Sequence, residues 1–123
     1  MPTEIDTRFA RRLFRGAAIY GALVLPPMYF LTPADAHLPA YLGFVGCALV
    51  FQWVFWIVGG DPLKYRALML PSVGEKGVFA IPALALFALG RTDPVTAFFA
   101  SIDILLGLGF FVAWRRTSAQ RAT

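Results

Sequence analysis

The sequence has little of the chemistry from which enzyme active sites and metal centres are usually built. It contains a single cysteine, Cys47, and a single histidine, His37. One cysteine excludes an intrachain disulfide framework, and the two residues together argue against an all-protein zinc site. The sequence also lacks a phosphate-binding loop, a dinucleotide-binding glycine pattern and a nucleophile elbow. The sequence therefore leaves the cofactor, if the protein has one, unknown.

Charged residues are also scarce, at 15% of the 123 residues, whereas 59% are hydrophobic. A soluble domain of this length would expose too much apolar surface at that composition. Four apolar stretches account for the excess, and each approaches the ~20 residues needed to cross a bilayer. They predict an all-α, integral membrane four-helix bundle forming one domain over residues 1–123, with crossings at about 16–31, 39–60, 73–90 and 95–114.

The first residues are basic and amphipathic. Residues 3–15 place apolar side chains at four-residue spacing, and Thr3 can cap this segment with Asp6 near its positive end. A basic leader before an apolar run also imitates a secretory signal. The length of this leader and Pro26-Pro27 favour an uncleaved first membrane helix that ends near these prolines.

Topology follows from the distribution of lysine and arginine. Under four crossings, nine of these residues fall on one side, Arg91 falls on the other, and Lys76 lies just inside the third crossing. This bias predicts that both termini are cytoplasmic. Because the cations flank membrane segments, they indicate contact with membrane lipids and no nucleic acid. The predicted membrane-surface residues are Arg11, Arg12, Arg15, Lys64, Arg66, Arg115 and Arg116.

The sequence after the second apolar stretch has the pattern of a short helix on the membrane surface. Gly60 can close the second helix, and Asp61 followed by proline is typical of a helix start. Lys64 and Arg66 would then meet anionic headgroups, and Pro71 would end the segment. The sequence therefore predicts an interfacial helix in this cytoplasmic loop.

Two readings of the next charges stay open. Ser72 and Glu75 have the spacing of a capping box at the start of the third crossing, and Lys76 can reach the surface by snorkelling. Alternatively, charges within a membrane segment indicate a functional site. Pro82, midway along this helix, predicts a kink.

Asp103 and Gln52 have no capping role. Asp103 lies about eight residues from the outer end of its helix, which places it ~12 Å deep, and Gln52 lies at a similar depth. A carboxylate there must be paired, hydrogen-bonded or protonated. Two interpretations stay open, a neutral Asp103 hydrogen-bonded to Gln52 and a ligand or proton site.

Trp53 and Trp56 lie on the same crossing as Gln52. Packing or an interfacial aromatic belt explains them simply. The more specific hypothesis is an apolar pocket with an aromatic wall and a few polar groups. Its ligand-binding candidates are Gln52, Trp53, Trp56, Glu75 and Asp103.

One set of positions is distinctive: Gly43-Phe44-Val45-Gly46, Gln52-Trp53, Asp61 to Arg66, Met69, Pro71 and Glu75-Lys76. With these residues the chain resembles a group of small four-helix bacterial membrane proteins of unassigned function, which are loosely similar to the DoxX-type membrane proteins. The resemblance covers roughly residues 16–116. It implies a multi-pass protein of the bacterial inner membrane and transfers no catalytic residue.

Three classes of function remain. The favoured one is a non-enzymatic membrane protein, either an accessory subunit or a binder of a hydrophobic small molecule or lipid in a pocket within the bundle. The second is a small dimeric transporter or proton-linked carrier. The third is a lipid-modifying enzyme that uses Glu75 or Asp103 as acid or base. A homodimer or a larger membrane complex is compatible with each.

Overall fold

A computed structural model describes residues 3–32, 34 and 37–117 of the 123-residue chain. In these ranges the chain forms helices joined by short turns, without any β-strand, which confirms the predicted all-α class. The first two residues, residues 33, 35 and 36, and the last six residues lie outside the described ranges. The elements are α1 (Glu4–Val24), a 3-10 turn (Pro26–Tyr29), α2 (Leu38–Gly60), a 3-10 turn (Arg66–Leu68), α3 (Met69–Ala88) and α4 (Pro94–Thr117).

Helix α1 joins the predicted amphipathic segment and the start of the first crossing into one helix. Thr3 Oγ1 accepts a hydrogen bond from Asp6 N, and Asp6 Oδ2 accepts one from Thr3 N, so the predicted cap is confirmed as a capping box. The helix ends at Val24, because prolines follow and the chain turns there. The helical part of the predicted 16–31 crossing therefore stops short of Leu31.

The other three helical segments make this a membrane protein. Among the described residues, the helices long and apolar enough to cross a bilayer are Leu38–Gly60, Arg66–Ala88 and Pro94–Thr117, and α1 is not among them. Large apolar side chains project outward from all three, which is the arrangement lipid requires. They include Val50, Trp53, Val78, Ile81, Leu105 and Leu108.

The connection between α2 and α3 differs from its prediction. Asp61 accepts a hydrogen bond from Lys64 N at 3.2 Å, but turns follow instead of a surface helix, and a 3-10 turn runs directly into α3. Pro71 does not end a helix, because it occupies the first turn of α3, where backbone N–H groups have no helical partner. The interfacial helix is not confirmed.

The start of α3 also differs from its prediction. Ser72 lies inside the helix and donates to Leu68 O at 2.7 Å, so the predicted capping box with Glu75 is wrong. Pro82 lies within α3 as predicted. At the far end, Gly90 adopts φ +71° and its N–H bonds Phe87 O, a left-handed helix end that favours glycine.

The helices pack as α1 on α2 and α3 on α4, with α1 also contacting α4. The centre of the core is aromatic: Phe14 stacks on Phe110 at 4.2 Å, and Phe55 meets both rings. Residues close to the two termini meet at one end, where Arg116 Nε lies 3.9 Å from Asp6 Oδ1. Helices α2 and α3 touch each other little, which leaves a cleft between them.

Candidate functional site

The centre of the candidate site is Lys76, which sequence reasoning had placed at the membrane surface. Its side chain lies in the interior of the protein, with the residue only 4% exposed. Lys76 lies seven residues into α3, roughly 10 Å along the helix axis from Met69. The prediction that Lys76 snorkels to the surface is therefore wrong, because its ammonium has partners inside the protein.

Asp103 of α4 is the closest of these partners. Lys76 Nζ donates to Asp103 Oδ1 at 3.3 Å, and the Asp103 side chain is 17% exposed. The predicted neutral clasp between Asp103 and Gln52 is wrong. An aspartate deep in a membrane helix needs compensation, and a cation on the facing helix supplies it better than an amide.

Glu75 is the second carboxylate beside the same ammonium. Lys76 Nζ lies 3.7 Å from Glu75 Oε2, and the Glu75 side chain is 14% exposed. That oxygen is buried and has no hydrogen-bond partner among the described residues. Glu75 lies within α3 instead of at its N-terminus, so it does not cap the helix. We call Glu75, Lys76 and Asp103 the buried charge cluster.

The surroundings of the ammonium are specific. Lys76 Nζ lies 5.2 Å from the centre of the Phe55 ring, within cation–π range. A Cβ at Gly107 would lie 3.2 Å from Lys76 Cβ, so glycine there lets α4 approach the lysine stem closely. From α1, the Tyr20 phenol interacts electrostatically with Asp103. Four helices thus converge on the cluster.

Gln52 lies elsewhere, in the contact between α1 and α2. Its Nε2 donates to Ala48 O at 2.7 Å on its own helix, and the residue is 5% exposed. Its Oε1 is buried and finds no hydrogen-bond partner in the described part of the chain. Its amide fills the space left by Gly21, where an added Cβ would overlap it. Gln52 therefore packs two helices and does not contact Asp103.

The predicted aromatic wall is not assembled around the charges. Trp53 is 68% exposed on the outer face of α2. Trp56 stacks under Arg15, whose guanidinium carbon lies 3.8 Å from the centre of the indole ring. Of the sequence candidates, the structure brings together Glu75 and Asp103 and leaves Gln52, Trp53 and Trp56 apart from them. It adds Lys76, which the demand of Asp103 for a counter-charge could have indicated.

Two clefts flank α3, and the buried charge cluster reaches both. The cleft between α2 and α3 encloses about 310 Å³, and Glu75 lines it. The cleft between α3 and α4 encloses about 300 Å³, and Lys76 and Asp103 line it. Apart from these charges, the α2–α3 cleft is mainly apolar; its walls include Phe44, Cys47, Ala48, Phe51 and Val78. Residues of the buried charge cluster therefore line an apolar cleft on each side of α3.

The predicted membrane-surface cations separate into two groups. Five are exposed at the end of the molecule where the residues close to both termini meet: Arg11, Arg12, Lys64, Arg115 and Arg116. Arg66 is instead buried, and it donates to Trp114 O and Thr117 Oγ1. Arg15 is half-buried and donates to Trp56 O at 3.0 Å. Both arginines donate to carbonyls near helix ends, and for the buried Arg66 this differs from the predicted contact with lipid headgroups.

No group of three or more histidine, cysteine, aspartate or glutamate residues within the described ranges is arranged to hold a metal ion. Cys47 is exposed on α2 and lines the α2–α3 cleft.

Comparison with known proteins gives one partial match. The chain is 38% identical over 104 residues to the 3-(3-hydroxy-phenyl)propionate transporter of Escherichia coli (strain K12). The match covers 80% of this chain but 22% of the transporter, so the chain spans about a fifth of that relative's length. No protein-family model matches the chain, and no solved structure matches it.

Proposed function

We propose that this protein is a non-enzymatic membrane component that binds a small hydrophobic molecule in the α2–α3 cleft. One observation carries the proposal. The Glu75 carboxylate lines an otherwise apolar cleft, and its Oε2 makes no hydrogen bond to any described residue. A cleft of about 310 Å³ is at the lower end of the ~300–1,000 Å³ typical of small-molecule sites.

Apolar walls with one polar group are the usual composition of such a site. The walls supply affinity by removing apolar surface from lipid and water, and the polar group fixes the orientation of the ligand. Glu75 Oε2 itself is buried and faces Lys76 at 3.7 Å, so a ligand would meet the part of the Glu75 side chain that lines the cleft wall. Because Glu75 shares its ammonium with Asp103, the α2–α3 cleft is the one in which a ligand can offer Glu75 a partner of its own.

A proton-linked carrier is the second candidate. Two carboxylates face one ammonium in the buried charge cluster, so a proton on either carboxylate would balance the charge. Tyr20 of α1 is a further titratable group, and it interacts electrostatically with Asp103. The partial similarity to a transporter favours the same function, although it covers only 22% of that protein.

We further propose that the protein lies in a bacterial inner membrane with both termini cytoplasmic. Arg116 next to Asp6 supports termini on one side, and exposed cations concentrate at that end. The turn after α1 supports a fourth crossing, because Tyr41 Oη near the start of α2 donates to Met28 O at 3.1 Å. We also propose that the protein associates with membrane lipids and with a second copy or a larger membrane complex. A relationship to the DoxX-type membrane proteins is part of the same proposal.

Native mass spectrometry of protein released from lipid nanodiscs tests the binding function. Gly74 lines the cleft, and a Cβ added there meets no described heavy atom within 4 Å, so Gly74→Phe starts a bulky side chain from an open point of the cleft wall. Gly43→Phe is the matched control, since Gly43 is equally open and does not line the cleft. We expect a bound small molecule in the native protein and the control, and its loss in Gly74→Phe. Equal occupancy in both variants would contradict a ligand in this cleft.

A further inference from the structure

The buried charge cluster holds one more negative group than positive groups. Lys76 is the ammonium within 4 Å of either carboxylate among the described ion pairs, and it is shared between Glu75 and Asp103. Sharing is unequal: a hydrogen bond joins Lys76 to Asp103 at 3.3 Å, whereas Glu75 Oε2 lies 3.7 Å away. Glu75 is therefore the less compensated carboxylate.

We propose that the α2–α3 cleft binds a small lipophilic amine, whose ammonium pairs with the Glu75 carboxylate while its apolar body fills the cleft. This inference rests on the proposed function and specifies the chemical class of the ligand. It follows from charge balance, because a buried carboxylate is stable only when it is paired or neutralised. A monocation supplies the one charge that the cluster lacks.

The cleft walls fit the rest of such a ligand. Phe44 and Phe51 of α2 line it opposite Glu75 and Val78 of α3, so an apolar body meets aromatic and aliphatic surface. Phenyl rings also attract cations through their faces, as Phe55 already does for Lys76 on the inner side of the cluster. The ligand ammonium would occupy the corresponding position on the outer side.

The same charge balance disfavours an organic anion. A carboxylate ligand in this cleft would face Glu75, a like charge in a medium of low dielectric constant, where repulsion is stronger than in water. The name of the E. coli relative describes transport of a propionate, an anion at neutral pH. The geometry of this chain therefore points to a ligand of opposite charge.

Three matched probes separate these outcomes: 3-phenylpropylamine, 3-phenylpropan-1-ol and 3-phenylpropionate. They share one apolar body and differ in charge at neutral pH. Binding is measured by calorimetry on the full chain in zwitterionic nanodiscs, and empty nanodiscs correct for partition into lipid. We expect the amine to bind at least about tenfold more tightly than the propionate, with the alcohol between them.

Variants then identify the group that recognises the charge. Glu75→Gln should bring the affinity for the amine down to that for the alcohol and leave the affinity for the alcohol unchanged. Asp103→Asn should also weaken the amine, because Lys76 then neutralises Glu75 alone. Glu4→Gln is the control, since Glu4 is exposed and pairs with Arg8 on α1 at 3.2 Å. This control should bind all three probes as the native protein does.

Each contrary result has a defined meaning. Equal binding of amine, alcohol and propionate, or amine binding unchanged in Glu75→Gln, would overturn the ligand class and leave the proposed binding function standing. Tighter binding of the propionate would overturn it in favour of a neutralised Glu75 and an anionic ligand. If none of the three binds to the folded protein, the ligand class is wrong, whereas the binding function is decided separately by the mass spectrometry of Gly74→Phe and its control.

Discussion

Arg66 holds the C-terminal end of α4 through Trp114. Its Nη2 donates to Trp114 O at 2.9 Å, and its guanidinium carbon lies 4.7 Å from the centre of the same residue's ring. Arg15 repeats the arrangement on α2, where it donates to Trp56 O and stacks on that ring. In both cases a cation satisfies the carbonyls at the negative end of a helix.

Replacing Arg66 by lysine should therefore destabilise the protein although charge is kept. Lysine cannot reproduce the planar fork that reaches both Trp114 O and Thr117 Oγ1, so we expect a loss of about 1.5–3 kcal/mol. Unfolding in detergent measures the loss. The control is Lys64→Ala, an exposed site where the change should stay within about 0.5 kcal/mol. Similar values for the two variants would mean that Arg66 does not hold α4.

Lys76→Met should be among the most destabilising substitutions in the chain. It leaves Glu75 and Asp103 buried together without a cation, and removing one partner of a buried pair costs ~3–5 kcal/mol. Adding Asp103→Asn should recover part of that loss, because one uncompensated charge disappears. A double-mutant cycle gives the coupling. Additive losses would contradict the ion pair.

Gln52→Met should leave stability unchanged or raise it. Methionine keeps the length of the side chain, and it removes an acceptor that no described residue satisfies, at the loss of one bond to Ala48 O. These effects oppose each other, with the unsatisfied acceptor worth roughly 1–3 kcal/mol. Thermal unfolding checks the sign. A loss greater than about 1 kcal/mol would show that Gln52 Oε1 has a partner after all.

Gly21→Ala should destabilise because its Cβ overlaps the Gln52 amide. Overpacking of this kind costs typically 1–3 kcal/mol. In a Gln52→Ala background the same substitution should cost much less, since the amide is absent. Equal costs in both backgrounds would place the close contact of α1 and α2 elsewhere.

Asp93 precedes α4 and lies outside the membrane span, at the other end of the molecule. The stabilisation that its carboxylate provides should depend on pH. Hydrogen bonds from Thr96 N at 2.7 Å and Thr96 Oγ1 at 3.1 Å hold the pKa of Asp93 below its ordinary value of 3.8. Because the pKa is lower in the folded state, its stabilisation is complete above 3.8 and is lost as pH falls through the folded pKa.

A carboxyl-carbon NMR titration measures this pKa directly. Thr96→Ala removes the hydroxyl donor and keeps the backbone donor, so the Asp93 pKa should move part of the way towards 3.8. A native midpoint at or above 3.8 would mean that Asp93 does not cap α4.

Local rules predicted the caps and the apolar helices from sequence. Thr3 with Asp6 forms a cap where the spacing indicated, because this motif depends on three or four neighbouring residues. The same rule failed at Ser72 and Glu75. There the chain began α3 earlier, at Met69, with Pro71 tolerated in the first turn.

Long-range partners could not be read from neighbouring residues. Glu75 and Asp103 were identified as candidates because charge in a membrane helix is costly wherever it lies. Whether Lys76 reaches both carboxylates depends on how α3 packs against α4. The absence of a side chain at Gly107 permits this close packing. Arg66 was similarly assigned to lipid headgroups. Its partner Trp114 lies 48 residues away in the chain, so the neighbouring sequence does not indicate this contact.

The most direct test of the buried charge cluster asks where the Lys76 ammonium lies in a bilayer. Magic-angle-spinning NMR of the full chain in lipid can compare dipolar coupling of Lys76 Nζ to the Asp103 carboxyl carbon with its coupling to lipid phosphorus. The 3.3 Å contact predicts a clear coupling to the Asp103 carboxyl carbon and no coupling to phosphorus. Coupling of Lys76 Nζ to phosphorus, with none to Asp103, would show a lysine at the membrane surface and contradict the account.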